Sequence, residues 1–151
     1  KKFVNMTRED WDRVVDVNLN GMFNATKAFF NDISVSTNGR LINISSVVGR
    51  RGNYGQANYA TTKSGMFGFT RTLSLELAAS NSTANCVTMG FTRTDMLRKV
   101  DEEVQEKIRN RIPLGKFAEV EDVTGIVRFL ASRDSGYMTG QIIGVDGGLR
   151  G

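Results

Sequence analysis

Tyr59 and Lys63 stand four residues apart in the stretch Asn58-Tyr59-Ala60-Thr61-Thr62-Lys63-Ser64-Gly65. On a helix that spacing stacks the phenol and the ammonium on one face, one turn apart. An isolated tyrosine titrates near about 10, and a neighbouring positive charge favours its phenolate. Bringing that value to about 7 takes roughly 4 kcal/mol of differential interaction, within reach of a close and partly desolvated pair. The chemistry on offer is proton transfer at an oxygen that is gaining or losing alkoxide character. A Tyr-x-x-x-Lys pair also arises by chance, so its weight depends on what converges on it.

Composition narrows the alternatives. There is no histidine and one cysteine, Cys86, which rules out Ser-His and Cys-His catalysis, the usual zinc sites and an internal disulfide. Acid–base work then falls to Tyr, Lys, Asp or Glu, and no metal is expected. At 151 residues, 40% hydrophobic and 24% charged, the chain reads as one soluble globular unit with a sizeable core. The net charge of +4 is mild, and Arg98-Lys99 is followed almost at once by Asp101-Glu102-Glu103. With no basic patch interleaved with aromatics, no nucleic-acid partner is expected. No apolar run of about 20 residues points to a membrane. A lone cysteine fits a reducing compartment, so a cytoplasmic location is expected. An organelle matrix is the alternative, because Lys1-Lys2 is not a natural start and a targeting segment ahead of it would go unseen.

The elements that must position the pair follow from periodicity. Thr7 followed by Glu9 and Asp10 reads as a helix N-cap with acids in the first turn. Val15, Leu19, Met22, Ala25 and Phe29 carry that helix to about Asn31, with Asn18 and Asn20 awkwardly inside it. Ser34 to Gly39 reads as a turn, and Arg40 to Ser46 as a buried strand whose carboxyl end carries two hydroxyls. That end is where open α/β sheets bind ligands, although taken alone Ser45 and Ser46 are better read as capping a turn. Val47 to Gly55 reads as a loop, and a long helix runs from Gln56 or Ala57 to Ala79. Its small residues Ala60, Ser64 and Gly68 make either a dimer face or ordinary core packing. A poorly apolar strand, Ser82 to Met89, leads into Gly90-Phe91-Thr92-Arg93-Thr94-Asp95. Asp101 to Asn110 is a charged helix in a segment expected to bury little and to act as a flap. An amphipathic helix at 119–131 and a short strand ending in Gly147-Gly148 close the chain. The order implies parallel strands with helical crossovers.

Taken together these residues resemble the short-chain dehydrogenase/reductases, and most nearly the 3-oxoacyl-acyl-carrier-protein and acetoacetyl-CoA reductases. The resemblance covers essentially the whole chain. It rests on Val17-Asn18-Leu19, on Ile42-Asn43-Ile44-Ser45-Ser46-Val47-Val48-Gly49, and on Gly55-Gln56-Ala57-Asn58-Tyr59 with Lys63. Gly90-Phe91, Thr94-Asp95-Met96, Phe129-Leu130-Ala131-Ser132, Thr139-Gly140 and Val145-Asp146-Gly147-Gly148 extend it. Ser46 lies thirteen residues before Tyr59, the family's spacing.

The resemblance implies an Asn-Ser-Tyr-Lys tetrad on Asn18, Ser46, Tyr59 and Lys63. Tyr59 would protonate the substrate oxygen, Ser46 would hydrogen-bond it, and Lys63 would tune Tyr59 and hold the nicotinamide ribose. Asn18 would kink its helix and bind a water leading to Lys63. Gly90, Thr92 and Thr94 would meet the nicotinamide carboxamide, and Gln56 would line the substrate entrance. The implied cofactor is NADPH, with NADH as the alternative, and the implied substrate is a 3-oxoacyl thioester on acyl-carrier protein or coenzyme A. The implied assembly is a homotetramer or homodimer. The fold would be a Rossmann-like, doubly wound parallel sheet left incomplete, a single partial domain at 1–151.

Three departures stand out. The family's Thr-Gly-x-x-x-Gly-x-Gly turn, which seats the pyrophosphate, has no counterpart here, so this chain alone is expected to be inactive. Ser82-Thr83-Ala84 replaces a more apolar strand, so Ser82→Ile with Ala84→Val is expected to stabilise. Met89 stands where a proline fixes the backbone before Gly90. Other readings are a short-chain dehydrogenase for another alcohol or ketone, and a truncated non-enzymatic remnant that folds or assembles only with a partner.

Overall fold

In the computed structural model, which describes residues 1–149, three parallel strands carry helices on both faces. Helix α1 (Arg8–Val15) starts in a reciprocal capping box. The Thr7 hydroxyl accepts from the Asp10 amide at 3.1 Å, and the Asp10 carboxylate accepts from the Thr7 amide at 3.1 Å. A π-helical turn at Asp16–Asn20 joins α1 to α2 (Gly21–Val35), closed by the Gly21 amide donating to the Asp16 carbonyl. Helix α2 continues past Asn31 to Val35, into the stretch whose polarity suggested a turn, because Ile33 packs against Leu73, Leu77 and Ala84.

Strand β1 (Arg40–Ser46) then enters the sheet. The loop expected after it begins as a short helix, α3 (Val47–Arg51), whose N-cap is Ser46. Burial of Val47, Val48 and Gly49 holds that turn in place. Helix α4 (Ala57–Glu76) is the long one, ending three residues before the expected Ala79, where a 3-10 turn at Ala78–Ser80 takes over. Strand β2 (Thr83–Met89), short helix α5 (Asp95–Arg98), α6 (Glu102–Arg109), α7 (Val120–Ala131) and β3 (Ile142–Val145) complete the order.

The strand order is β1-β2-β3, all parallel, with Asn43 opposite Cys86, Ser45 opposite Thr88 and Met89 opposite Val145. Alternation puts Asn43, Ser45, Ala84 and Cys86 on the face covered by α4, while Asn85, on the opposite face, meets the segment that leads into β3. Strand β2 tolerates Asn85 at its centre because both ends of the amide find partners, while the Thr83 hydroxyl is buried without one. Asn85 donates to the Met138 carbonyl at 2.7 Å and accepts from the Gln141 amide at 3.1 Å.

Ser82, just before β2, corrects the expectation that apolar residues would serve better there. Its hydroxyl donates to the Ile33 carbonyl at 2.8 Å, its side chain is 2% exposed, and its Oγ abuts the Gly39 backbone. No room remains for isoleucine. Helix α6 has no buried residue, as expected of a segment that buries little, but the residues on either side of it are anchored. Leu97, Ile112 and Phe117 form a core cluster with Val47 and Leu149, so both ends of α6 are pinned.

Candidate active site

Lys63 projects from α4 to the carboxyl end of β1. Its Nζ donates to the Ile44 carbonyl at 3.0 Å and lies 5.6 Å from the centroid of the Tyr59 ring. The expected stacking of the two side chains is therefore present, in the range of a cation–π contact. Burial pushes the Lys63 ammonium below the ordinary lysine value, and the nearby Cys86 sulfur acts in the opposite direction. Cys86 is fully buried, and burial raises its thiol to about 11.

The backbone around Lys63 is fastened to the end of β1 by contacts that sequence spacing did not reveal. The Ser45 hydroxyl donates to the Lys63 carbonyl at 2.8 Å. The Ser64 hydroxyl bonds to the Gly49 carbonyl. A methyl group built on Gly49 would stand 2.8 Å from the Lys63 carbonyl carbon, so only glycine lets α3 approach α4 this closely. The sequence signal was available in the run Ser45-Ser46-Val47-Val48-Gly49. Its reading as strand end plus loop hid the packing role of Ser45 and Gly49.

Ser46 closes β1, two residues beyond the carbonyl that holds Lys63. Its Oγ accepts from the Val48 amide at 3.1 Å, which orients the hydroxyl at the strand's end. Ser46 thus caps a helix and stands at the ligand-binding end of the sheet at once. Asn18 sits in the π-helical turn, where its Nδ2 donates to the Val14 carbonyl, four residues earlier, at 3.0 Å. Such turns replace ordinary helix where local geometry is specialised. Leu19 from the same turn comes within 3.2 Å of a methyl built on Gly65, which places the turn against α4 beside Lys63.

The amino end of α4 is held from two sides. Asn58 donates to the Asp10 carbonyl at 2.9 Å and accepts from the Tyr59 amide at 2.9 Å. Gln56, at the N-cap position, accepts from the Asn53 side chain at 2.7 Å and so turns toward the preceding loop.

Gly90 follows β2 with its amide on the Val145 carbonyl at 2.9 Å, and a methyl there would stand 2.8 Å from the Asp146 Cα. Thr92 forms an isolated parallel bridge with Ala118, and its buried Oγ1 has no hydrogen-bond partner. Thr94 is exposed at the start of α5. A cavity of about 550 Å³ opens beside Gly90 and Phe91, lined also by Ile112, Phe117 and Asp146, but none of Asn18, Ser46, Tyr59 and Lys63 reaches it. Among the described residues, no cluster of three His, Cys, Asp or Glu side chains could hold a metal, and no helix is long and apolar enough to cross a membrane.

Comparison with known proteins decides the family. The family described as Enoyl-(Acyl carrier protein) reductase matches residues 1–150. The chain belongs to the short-chain dehydrogenase/reductase family. It is 48% identical over 146 residues to the 3-oxoacyl-[acyl-carrier-protein] reductase FabG of Thermotoga maritima, covering 97% of this chain and 59% of that protein. The FabG of Aquifex aeolicus is 45% identical over 149 residues, covering 99% of this chain and 60% of that protein. The (3R)-3-hydroxyacyl-CoA dehydrogenase of Rattus norvegicus is 48% identical over 148 residues, 97% and 57%. The chain thus spans about three fifths of the length of the curated relatives it matches. The three-stranded sheet with its flanking helices is a partial Rossmann-like fold.

Proposed function

We propose that this chain carries the catalytic end of a reductase that converts a 3-oxoacyl thioester to the 3-hydroxyacyl thioester with NADPH, or alternatively NADH. The carrying observation is the convergence of Tyr59, Lys63 and Ser46 at one end of β1, with Asn18 packed beside them in a π-helical turn. Tyr59 would donate a proton to the substrate oxygen as it becomes an alkoxide. The Lys63 ammonium stands over the same ring, and the Ser46 hydroxyl would donate to the same substrate oxygen. Asn18 would hold a water between Lys63 and solvent.

The residues present fit the nicotinamide end of the cofactor. The buried, unpartnered Thr92 hydroxyl can meet a carboxamide, and the Lys63 ammonium can meet ribose hydroxyls. When bound, the nicotinamide would supply the hydride. Gly90, packed against Asp146, and Thr94 border the same loop, and Gln56 would stand at the substrate entrance. Relatives named for 3-oxoacyl or 3-hydroxyacyl substrates favour carbonyl chemistry, and both acyl-carrier protein and coenzyme A occur among them as carriers. The open flank of α4 at Gly68, with Leu75 79% exposed, suits assembly into a homodimer or homotetramer. A location in the cytoplasm or an organelle matrix is consistent with the free, buried Cys86.

The test joins this chain to the part of the Thermotoga relative that it does not span. Tyr59→Phe and Ser46→Ala should each lower kcat for acetoacetyl-CoA by about 100-fold or more while leaving the NADPH Kd within about twofold. An unchanged kcat in either variant contradicts the assigned roles.

A further inference from the structure

Two arginines sit side by side at the end of α3, and among the described residues only one of them has partners. Arg50 reaches across the sheet, where its Nε donates to the Thr88 hydroxyl at 3.1 Å and its Nη2 to the Ile142 carbonyl on β3. The Arg51 Nε is shut away from water with no hydrogen-bond partner, and none of the described ion pairs includes Arg51. A positive charge in the last turn of a helix complements its dipole, but Arg50 already supplies one. The dipole does not call for a buried nitrogen without an acceptor. Helix geometry says which side Arg51 occupies. It lies one turn past Val47, so the two share a face of α3. Val47 packs on Leu97, Ile112 and Phe117 with Phe91 beside them, whereas Gly49 turns toward Lys63. Arg51 therefore stands on the side of α3 that meets the segment following Gly90. Along the helix it is about 7.5 Å from Ser46, so a ketone held by the Ser46 hydroxyl lies within an arginine's reach.

We propose that Arg51 is a specificity residue that takes an oxyanion carried by the ketone substrate. An oxyanion balances the guanidinium charge and can accept from Nε and one Nη together, the paired geometry that arginine offers and lysine does not. Two sources share this chemistry. One is the carboxylate of a free 3-oxo acid, a single methylene away from the ketone. The other is the phosphate at the far end of a pantetheine arm, which the arm must bend to bring to α3. The inference rests on the reductase reading for the ketone and on Arg51 alone for the anion.

The test compares three substrates on the chain joined to the Thermotoga segment. Acetoacetyl-CoA carries phosphates, acetoacetate carries a carboxylate, and the N-acetylcysteamine thioester of acetoacetate is neutral. Arg51→Met should raise KM at least tenfold for one or both anions, about the worth of a hydrogen bond to a charged group. Both kcat and the KM of the neutral thioester should stay within about twofold. Loss confined to acetoacetyl-CoA assigns the phosphate, and loss confined to acetoacetate assigns the carboxylate. Added salt should raise the wild-type KM for the affected anion and leave that of Arg51→Met nearly flat, a response that a merely structural role would not give. Circular dichroism checks the fold, and Arg51→Gln repeats the comparison should Arg51→Met unfold. Unchanged KM values for both anions, or an equal loss on the neutral thioester, overturn the assignment. Should no substrate turn over, calorimetric titration with acetoacetate and with coenzyme A separates the two ideas. Weaker binding by Arg51→Met than by the wild type then sinks the reductase reading and keeps the anion site, while equal or absent binding overturns both.

Discussion

Gly49→Ala is the substitution that most sharply probes how the site is held together. The added methyl would stand 2.8 Å from the Lys63 carbonyl carbon, 3.0 Å from its Cβ and 3.0 Å from its carbonyl oxygen. Two of these three atoms are backbone in the middle of a 20-residue helix, which cannot yield as a flexible side-chain tip can. Relief requires α3 and α4 to separate by several tenths of an ångström. That movement stretches the Ser64–Gly49 bond and the Ser45 bond to the Lys63 carbonyl together. Overpacking of this kind costs about 1–3 kcal/mol, and a weakened hydrogen bond adds about 1. The expected loss is therefore about 2–4 kcal/mol, a large share of a typical domain's stability of about 5–15. Urea unfolding followed by circular dichroism reads it as a lower midpoint at constant slope. Gly68→Ala in α4 is the internal control: nothing lies within 4 Å of a methyl there, so the same change should stabilise by about 0.5–1 kcal/mol. A Gly49→Ala midpoint at or above that of the wild type would refute the close α3–α4 contact.

Two further perturbations test the core around the site. Ser82→Ile should destabilise by about 2 kcal/mol or more, because it loses the bond to the Ile33 carbonyl and forces bulk against Gly39; a raised thermal midpoint would show that Ser82 is not packed as described. Cys86, raised by burial from 9.0 to about 11, contributes stability that is complete below pH 9 and lost as the pH rises through 11. The difference in unfolding free energy between the wild type and Cys86→Ala should therefore shrink by up to about 2 kcal/mol between pH 9 and 11. Lys63, whose lowered value makes stability rise with pH up to 10.5, drifts in the opposite direction in both proteins. A difference that stays flat across that window would place the thiol in contact with solvent.

Much of the fold was legible because local chemistry and periodicity agreed. Thr7 and Asp10 announced the first helix, the β-rich run to Ser46 announced the first strand, and the glycine pair at 147–148 announced a turn of positive φ. The Tyr59–Lys63 spacing placed both side chains on one face, as the ring contact bears out. What escaped depended on neighbours distant in sequence. The polarity of Ser82 and Asn85 looked like a weak strand until their partners, Ile33 and Met138, came into view. The flap looked poorly anchored because Leu97, Ile112 and Phe117 are scattered singly among charges, and only folding gathers them. Ser45 and Gly49 gave no periodic signal of their own. Their work is to bring two backbones together, which no count of apolar residues records.

Carbonyl reduction at the end of β1 is checked by following the transferred hydride. The chain, completed with the Thermotoga segment, is given 4-deuterated NADPH and either acetoacetyl-CoA or crotonyl-CoA, and the products are analysed by mass spectrometry. Carbonyl reduction gives one deuterium at C3 of 3-hydroxybutyryl-CoA, no butyryl-CoA from crotonyl-CoA, and loss of the labelled product in Tyr59→Phe. Deuterium appearing in butyryl-CoA, or labelled 3-hydroxybutyryl-CoA formed undiminished by Tyr59→Phe, would contradict it.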